Sequence, residues 1–199
     1  MFSGIVETTA KLIKSETLNQ AERIWIEKPH AFDDLSVGDS ICTNGVCLTV
    51  EAFDEKQIQF CLGAETLSLL KQSLPYWKDK PLNLERSLKF GDRVHGHLVT
   101  GHVDQSAQIV VSEPHGDVWD LAVEASDEQA RYFWKKGSAC VNGVSLTINK
   151  VAQNKIYFCL IPETLKITNL QYYKVGDFVN LESDYLAKAY IHSRQEKDL

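Results

Sequence analysis

The segment HGHLVTGHVD places three of the chain's six histidines, His95, His97 and His102, within eight residues. A side chain that passes between neutral and cationic forms near pH 7 is what proton transfer at that pH requires, so acid/base or hydrogen-bonding chemistry is the leading reading. Histidines satisfied structurally at a domain junction are the bland alternative. His95 and His97 share a strand face, as two metal ligands would, but no fourth ligand stands at a useful spacing and no metal site is expected. The second candidate is Cys47, the variable residue of an NGVxLT block that recurs later in the chain with Ser145 in the same place. A thiol so close to a turn could face a pocket mouth and act as nucleophile or base, and is otherwise a small buried hydrophobe. Ser40 either starts a strand or offers its hydroxyl to a ligand.

These residues sit on a chain that repeats itself. GIVETTAKLI from Gly4 is echoed by GHVDQSAQIV from Gly101, SICTNGVCLTV from Ser40 by SACVNGVSLTI from Ser138, and LNLE from Leu82 by VNLE from Val179, all at an offset of 97 to 98 residues. FCLGAETL from Phe60 and FCLIPETL from Phe158 are identical at six of eight positions. Four blocks in one order at one offset describe a duplicated domain. The expected division is a first domain over residues 1–90, a second over 97–187 and a tail helix over 188–199. The copies differ where chemistry is suspected: His102 occupies the position held by Ile5 in the first repeat, and Ser145 answers Cys47.

Within each repeat the pattern is mostly strand. LTVEAFDEKQIQFCL and LTINKVAQNKIYFCL read as hairpins, β-rich runs around a short polar turn. Asn44-Gly45 and Asn142-Gly143 supply residues that tolerate positive φ between strands. Ser126 and Gln129 suggest a capping box opening a short helix through ARYFWKK to a stop at Gly137. ETLSLLKQSL and ETLKITNL read as one or two helical turns after a strand. Many short strands per domain predict an all-β chain of small closed barrels or sandwiches, closure removing exposed edges. LAKAYIHSRQEKD is a plausible helix with one apolar face to cover.

Composition limits the alternatives. With 199 residues, 44% of them hydrophobic, the chain can bury one medium core or two small ones. A formal charge of −6 provides no basic footprint, so nucleic acid is not an expected partner. No apolar run has the length of a membrane span and the start lacks a signal-peptide pattern, so a cytoplasmic protein without membrane attachment is expected. Five cysteines without a C-x-x-C pair fit reduced thiols.

The motifs MFSGIV, GDSICTNGVCLTV, NLERSLKFGDRVHGHLVTGHVD, VNGVSLTI, IPETLKITNL and VGDFVNLESDYLAKAY, in this order over almost the whole chain, resemble the riboflavin synthase α-chain family, which also contains non-catalytic lumazine proteins. The resemblance implies two tandem six-stranded Greek-key closed β-barrels with short helices, a C-terminal helix that holds a homotrimer, and pockets between the N-terminal barrel of one subunit and the C-terminal barrel of another. It implies dismutation of two 6,7-dimethyl-8-ribityllumazine molecules by transfer of a four-carbon unit, giving riboflavin and 5-amino-6-ribitylaminouracil without a cofactor. Because the lumazine C7 methyl is acidic and C7 is electrophilic, the protein would supply proximity and proton handling.

Carried to matching positions, the family's catalytic residues are Phe2, Ser40, Cys47, His97 and His102. His102 with Cys47 would assist deprotonation of the acceptor methyl and Ser40 would help place a nucleophile at the donor C7; which of Cys47, His97 and His102 is the base stays open. Substrate contacts fall on Gly4, Val6, Thr49, Gly63, Ala64, Thr66 and Val103. They continue through Lys136, Asn142, Ser145, Thr147, Ile161, Pro162, Thr164, Thr168 and Asp184, with Ser145, Thr147 and Thr168 holding the second lumazine. Four departures stand out: Asn142 replaces a usual aspartate, Leu70-Lys71 replaces a threonine-asparagine pair matching Thr168-Asn169, LPYWKDKP replaces a glycine-rich turn, and Ser3 replaces threonine. A lumazine- or flavin-binding protein of the same fold without turnover is the alternative; a metal-dependent barrel enzyme using His95 and His97 would leave the duplication unexplained.

Overall fold

The computed structural model describes residues 1–195. The first repeat forms β1 (Thr8–Ala10), β2 (Leu12–Leu18), β3 (Ala21–Glu27), β4 (Ser40–Thr43), β5 (Val46–Phe53), β6 (Gln57–Gly63), the helix α1 (Ala64–Leu69) and β7 (Leu82–Arg86). Its antiparallel order is β1-β7-β4-β5-β6-β3-β2. The two end strands are consecutive in the chain, parted by Lys11 alone, so they are halves of one bent strand and the sheet curls into a closed barrel of six strands. The run β7-β4-β5-β6 is a Greek key: three hairpin-linked strands, with a later strand returning beside the first.

The second repeat forms β8 (Gln105–His115), β9 (Val118–Glu124), α2 (Asp127–Ala130), β10 (Ser138–Val141), β11 (Val144–Thr147), β12 (Lys150–Ala152), β13 (Lys155–Leu160), α3 (Pro162–Ile167) and β14 (Phe178–Ser183). Its order, β11-β10-β14-β8-β9-β13-β12, closes in the same way, here with β11 and β12 as the two halves of the bent strand. The final helix, α4 (Tyr185–Gln195), begins at Tyr185, and residues 196–199 of the expected tail helix lie outside the described residues.

Strand alternation fills both barrels. Ile58, Phe60 and Leu62 of β6 and Ile156, Phe158 and Leu160 of β13 point inward and are buried, each contributing about 1.5–3 kcal/mol of apolar burial. The cores are not formed wholly in sequence order. Val6, which precedes the first barrel, packs in the core of the second, and Val103, which precedes the second, packs in the core of the first. The two lead-in segments cross where Phe2 and Val99 exchange backbone hydrogen bonds of 2.8 and 3.0 Å.

The Asn-Gly turns lie on this crossing. Asn44 and Gly45 have φ of 48° and 84°, Asn142 and Gly143 of 47° and 82°, the positive pair that a type I′ hairpin turn needs. The turns pack back to back so tightly that a Cβ on Gly45 would lie 2.9 Å from the Gly143 nitrogen. Buried asparagines tie them together. Asn83 donates to the Asn142 carbonyl at 2.8 Å and Asn180 donates to the Asn44 carbonyl at 2.7 Å. Asn169 donates to the Asn44 side chain and accepts from Asn83. On the same crossing Cys42 and Cys140 are fully enclosed, and burial pushes both thiols well up.

Two local expectations are corrected. The helix opened by Ser126 is a single turn, and the capping box is half made: the Ser126 hydroxyl accepts from the Gln129 N–H at 3.3 Å, but the Ser126 N–H is taken by the Gln105 side chain. Lys136 then turns with φ of 71°, and Gly137 packs beneath the Trp134 ring instead of ending a helix.

Candidate active site

Cys47 projects outward from β5, between the inward Val46 and Leu48, and its N–H donates to the Gly101 carbonyl at 2.9 Å. This contact lays the lead-in segment of the second repeat against the first barrel, with His102 next in line. Cys47, His102, Val103, Thr66, Leu70 and Lys188 line a cavity of about 440 Å³, within the range of small-molecule sites. Gly101 fits because it lacks a side chain: its φ is 78°, and a Cβ would stand 2.6 Å from the Cys47 Cβ. The segment is held from behind by Glu182 of β14, which is buried and accepts the Thr100 N–H, the Thr100 hydroxyl and the Gly101 N–H at 2.8, 2.7 and 3.0 Å.

The second barrel repeats this construction with different side chains. Ser145 replaces Cys47, and its N–H donates to the Gly4 carbonyl at 2.7 Å. Glu85 takes the place of Glu182, accepting from the Ser3 N–H, the Ser3 hydroxyl and the Gly4 N–H at 2.7, 2.8 and 2.9 Å. Burial raises the Glu85 carboxyl above its ordinary value against the pull of these donors. Ile5 stands where His102 stands in the other copy, and the histidine here is His97, whose Nδ1 lies 2.7 Å from the Ser145 hydroxyl. Burial lowers the His97 pKa below 6.5, outweighing the upward influence of Asp184, so the imidazole is neutral at pH 7. Among the described residues its Nε2 is buried without a partner.

The predicted residues therefore fall into groups. Cys47, His102, Thr66 and Val103 share the 440 Å³ cavity. Thr49 lies two residues beyond Cys47 on the same strand face, and Gly63 and Ala64 are exposed where β6 gives way to α1. Ser40, the register partner of Thr49, opens instead into a wider cleft of about 880 Å³ with Ser3, Glu85, Arg86 and His95. His95 and His97 thus face different surroundings. Gly4, Ser145 and His97 meet at the second barrel, where Thr147 is exposed on the Ser145 face of β11 and Lys136 is exposed near the strand ends. Ile161 and Pro162 open α3, on which Thr164 sits, and the Thr168 hydroxyl is spent on the Thr164 carbonyl and the Leu170 N–H. Asp184 caps α4 by accepting the Leu186 N–H at 2.8 Å.

Gly4 and Thr168 are buried where they stand, and three further predicted residues are enclosed by protein. Phe2 is 0% exposed between the barrels with Cys42, Val99 and Cys140, Val6 is in the second core, and Asn142 belongs to the asparagine network. The departure at Leu70-Lys71 has a compensation nearby: Leu70 joins the first core, and the Ser73 hydroxyl reaches the Asn180 side chain at 2.5 Å. Sequence reasoning missed Glu85 and Glu182, although both end the LNLE and VNLE blocks that revealed the repeat. It also missed Lys188 and Asp104, paired at 3.0 Å on the cavity wall; Asp104 answers Glu7 in the repeat, whereas the sequence carries no comparable signal for Lys188.

A model of the lumazine binding domain matches the chain twice, over residues 3–87 and 100–184. Riboflavin synthase of Brucella abortus is 38% identical over 94% of this chain and 95% of its own, and that of Mycobacterium bovis is 40% identical over the same shares. Riboflavin synthase of Escherichia coli is 35% identical over 96% and 90%. The crystal structure of LumP complexed with riboflavin superposes with a TM-score of 0.80 at 22% identity, covering 92% of this chain and 99% of that one, a likeness of fold. With both repeats matched and full-length relatives well above the threshold of chance, the chain belongs to the riboflavin synthase family of paired lumazine-binding domains.

Proposed function

We propose that this enzyme of the riboflavin synthase family dismutates two molecules of 6,7-dimethyl-8-ribityllumazine, moving a four-carbon unit from one to the other to give riboflavin and 5-amino-6-ribitylaminouracil. The observation that carries the reading is a duplicated scaffold whose equivalent half-sites hold different reactive groups, Cys47 and His102 in one, Ser145 and His97 in the other. Two copies of one ligand call for two similar cradles, and a reaction that treats them differently calls for unlike side chains. His102, which lines the 440 Å³ cavity with Cys47, would move a proton at a methyl group of a ring bound there. Neutral His97 with the Ser145 hydroxyl offers a hydrogen-bonding pair to the second ring.

In this reading the barrels over 1–90 and 97–187 each bind a lumazine and the residues from 188 onward serve oligomerisation. Exposed Tyr185, Leu186 and Tyr190 on α4 support assembly as a homotrimer. The protein works in the cytoplasm as a transferase between its two substrate molecules. The test is to mix purified protein with the lumazine and follow both products by absorbance and chromatography. Riboflavin and the uracil at equal yield establish the dismutase. Tight binding without turnover identifies a lumazine carrier, and neither binding nor turnover refutes the assignment.

A further inference from the structure

The segment carrying His102 is fixed on both flanks by side chains to which the proposed proton transfer gives no part. On its upstream side Glu182, 1% exposed, receives three hydrogen bonds from Thr100 and Gly101. The Thr100 hydroxyl, while donating to Glu182, lies 3.3 Å from the His102 N–H and accepts from it. On its downstream side Asp104 accepts from the Ser183 N–H and hydroxyl at 2.7 and 2.8 Å and from Lys188 at 3.0 Å. The Gly101 carbonyl receives the Cys47 N–H. One buried carboxylate is thereby linked, through a single intervening residue in each direction, to the backbone of both groups facing the cavity.

Glu85 makes the same three bonds in the first repeat, so a shared demand of the scaffold accounts for a glutamate at both places. The copies differ at the next residue along the chain, Ile5 after Gly4 and His102 after Gly101. We propose that Glu182 is a positioning residue for His102, setting its place against Cys47 through Thr100 and Gly101; this rests on the reading of His102 as a proton-transfer group. Glutamine at 182 would turn an amide NH₂ toward N–H or O–H donors and leave one side of the grip repulsive. The lead-in segment must then move, and displacement of a reacting group by about 1 Å costs up to about a hundredfold in rate.

The test is a double-mutant cycle on turnover, with lumazine affinity measured separately by fluorescence titration. Glu182→Gln should lower kcat at least about tenfold while changing the lumazine Kd less than about threefold, because the group displaced acts in the reaction and not in holding the ring. In a His102→Gln background the same substitution should change the residual rate less than about twofold, since there is no histidine left to position. A purely structural glutamate would lower the rate by the same factor in both backgrounds, which overturns the proposal. Should Glu182→Gln fail to fold, Thr100→Val replaces it in the cycle, and Thr100→Ser, which restores the hydroxyl, should recover most of the rate. Failure of Thr100→Ser to recover it counts against the proposal. Wild-type turnover in His102→Gln also overturns it. An inactive wild-type protein refutes the functional reading itself, whereas a slow His102→Gln with an additive Glu182→Gln sinks only the positioning role.

Discussion

Gly101→Ala tests the close approach of the second repeat's lead-in segment to Cys47. The alanine incurs two costs that can be separated. At φ of 78° the backbone is left-handed, which costs an L-residue about 1–2 kcal/mol. The new methyl would also stand 2.6 Å from the Cys47 Cβ and 2.7 Å from its nitrogen, against the 3.4 Å at which ordinary contact begins, so the segment must retreat by about 0.8 Å. That movement stretches the 2.9 Å bond from the Cys47 N–H and carries His102 away from the thiol. With His102 as the proposed proton-transfer group, a retreat of this size is expected to reduce kcat by about 30- to 100-fold, with a stability loss of about 2 kcal/mol. Gly38→Ala supplies the control. Gly38 has φ of 95° with nothing within 4 Å of its built Cβ, so alanine there meets the backbone cost alone, about 1 kcal/mol, and should leave turnover unchanged. The assay is riboflavin formation at saturating lumazine, beside urea denaturation of both variants. Turnover of Gly101→Ala within twofold of Gly38→Ala would refute the argument that this contact sets the His102 geometry.

Lys80→Met should destabilise the protein by about 2 kcal/mol, read from denaturant midpoints. The ammonium lies 3.2 Å from Asp177, donates to the Tyr172 carbonyl and sits 4.9 Å from the Tyr173 ring centre, so its loss strands a buried carboxylate between the barrels. His97→Gln should flatten the acid side of the stability profile. Because burial lowers the folded pKa of His97 below 6.5, the unfolded chain takes up the proton first; stability present above that value is lost as pH falls toward the lower folded value. Urea midpoints measured across that window should fall less steeply in the variant, and parallel profiles would contradict the buried, neutral histidine.

Much of this architecture was legible because the signals were local or periodic. Asn44-Gly45 and Asn142-Gly143 mark tight turns because few residue pairs accept two positive φ angles, and the β-rich runs LTVEAFDEKQIQFCL and LTINKVAQNKIYFCL carry the hairpins that β5 forms with β6 and β12 with β13. The cavity residues Cys47 and His102 were visible as the positions where the repeats disagree. What the chain does not advertise is exchange. Val6 and Val103 look like members of their own repeats and are buried in each other's barrels, because a lead-in strand's partner is fixed by three-dimensional crossing and not by spacing. Phe2 and Asn142, which the resemblance implies as site residues, are buried where the two barrels meet. LPYWKDKP, an unexplained departure, supplies both Tyr76, packed against the second core, and Lys80 itself, the staple to Asp177.

The division of labour arises from which positions the repeats share. Ser3 or Thr100, Gly4 or Gly101, and Glu85 or Glu182 perform the same backbone grip in both halves, so selection for a folded pair of barrels suffices to explain them. Cys47 or Ser145 and Ile5 or His102 hang from that grip without being needed to form it: each copy makes the same carbonyl-to-amide contact with either side chain. A scaffold that keeps its geometry while the projecting groups diverge allows the unlike roles proposed above for the two half-sites. The cost is dependence on the crossing. Each cradle is completed by the other repeat's lead-in segment, so neither barrel cut away alone retains the floor of its site, and the two half-sites are coupled by the backbone before any substrate arrives.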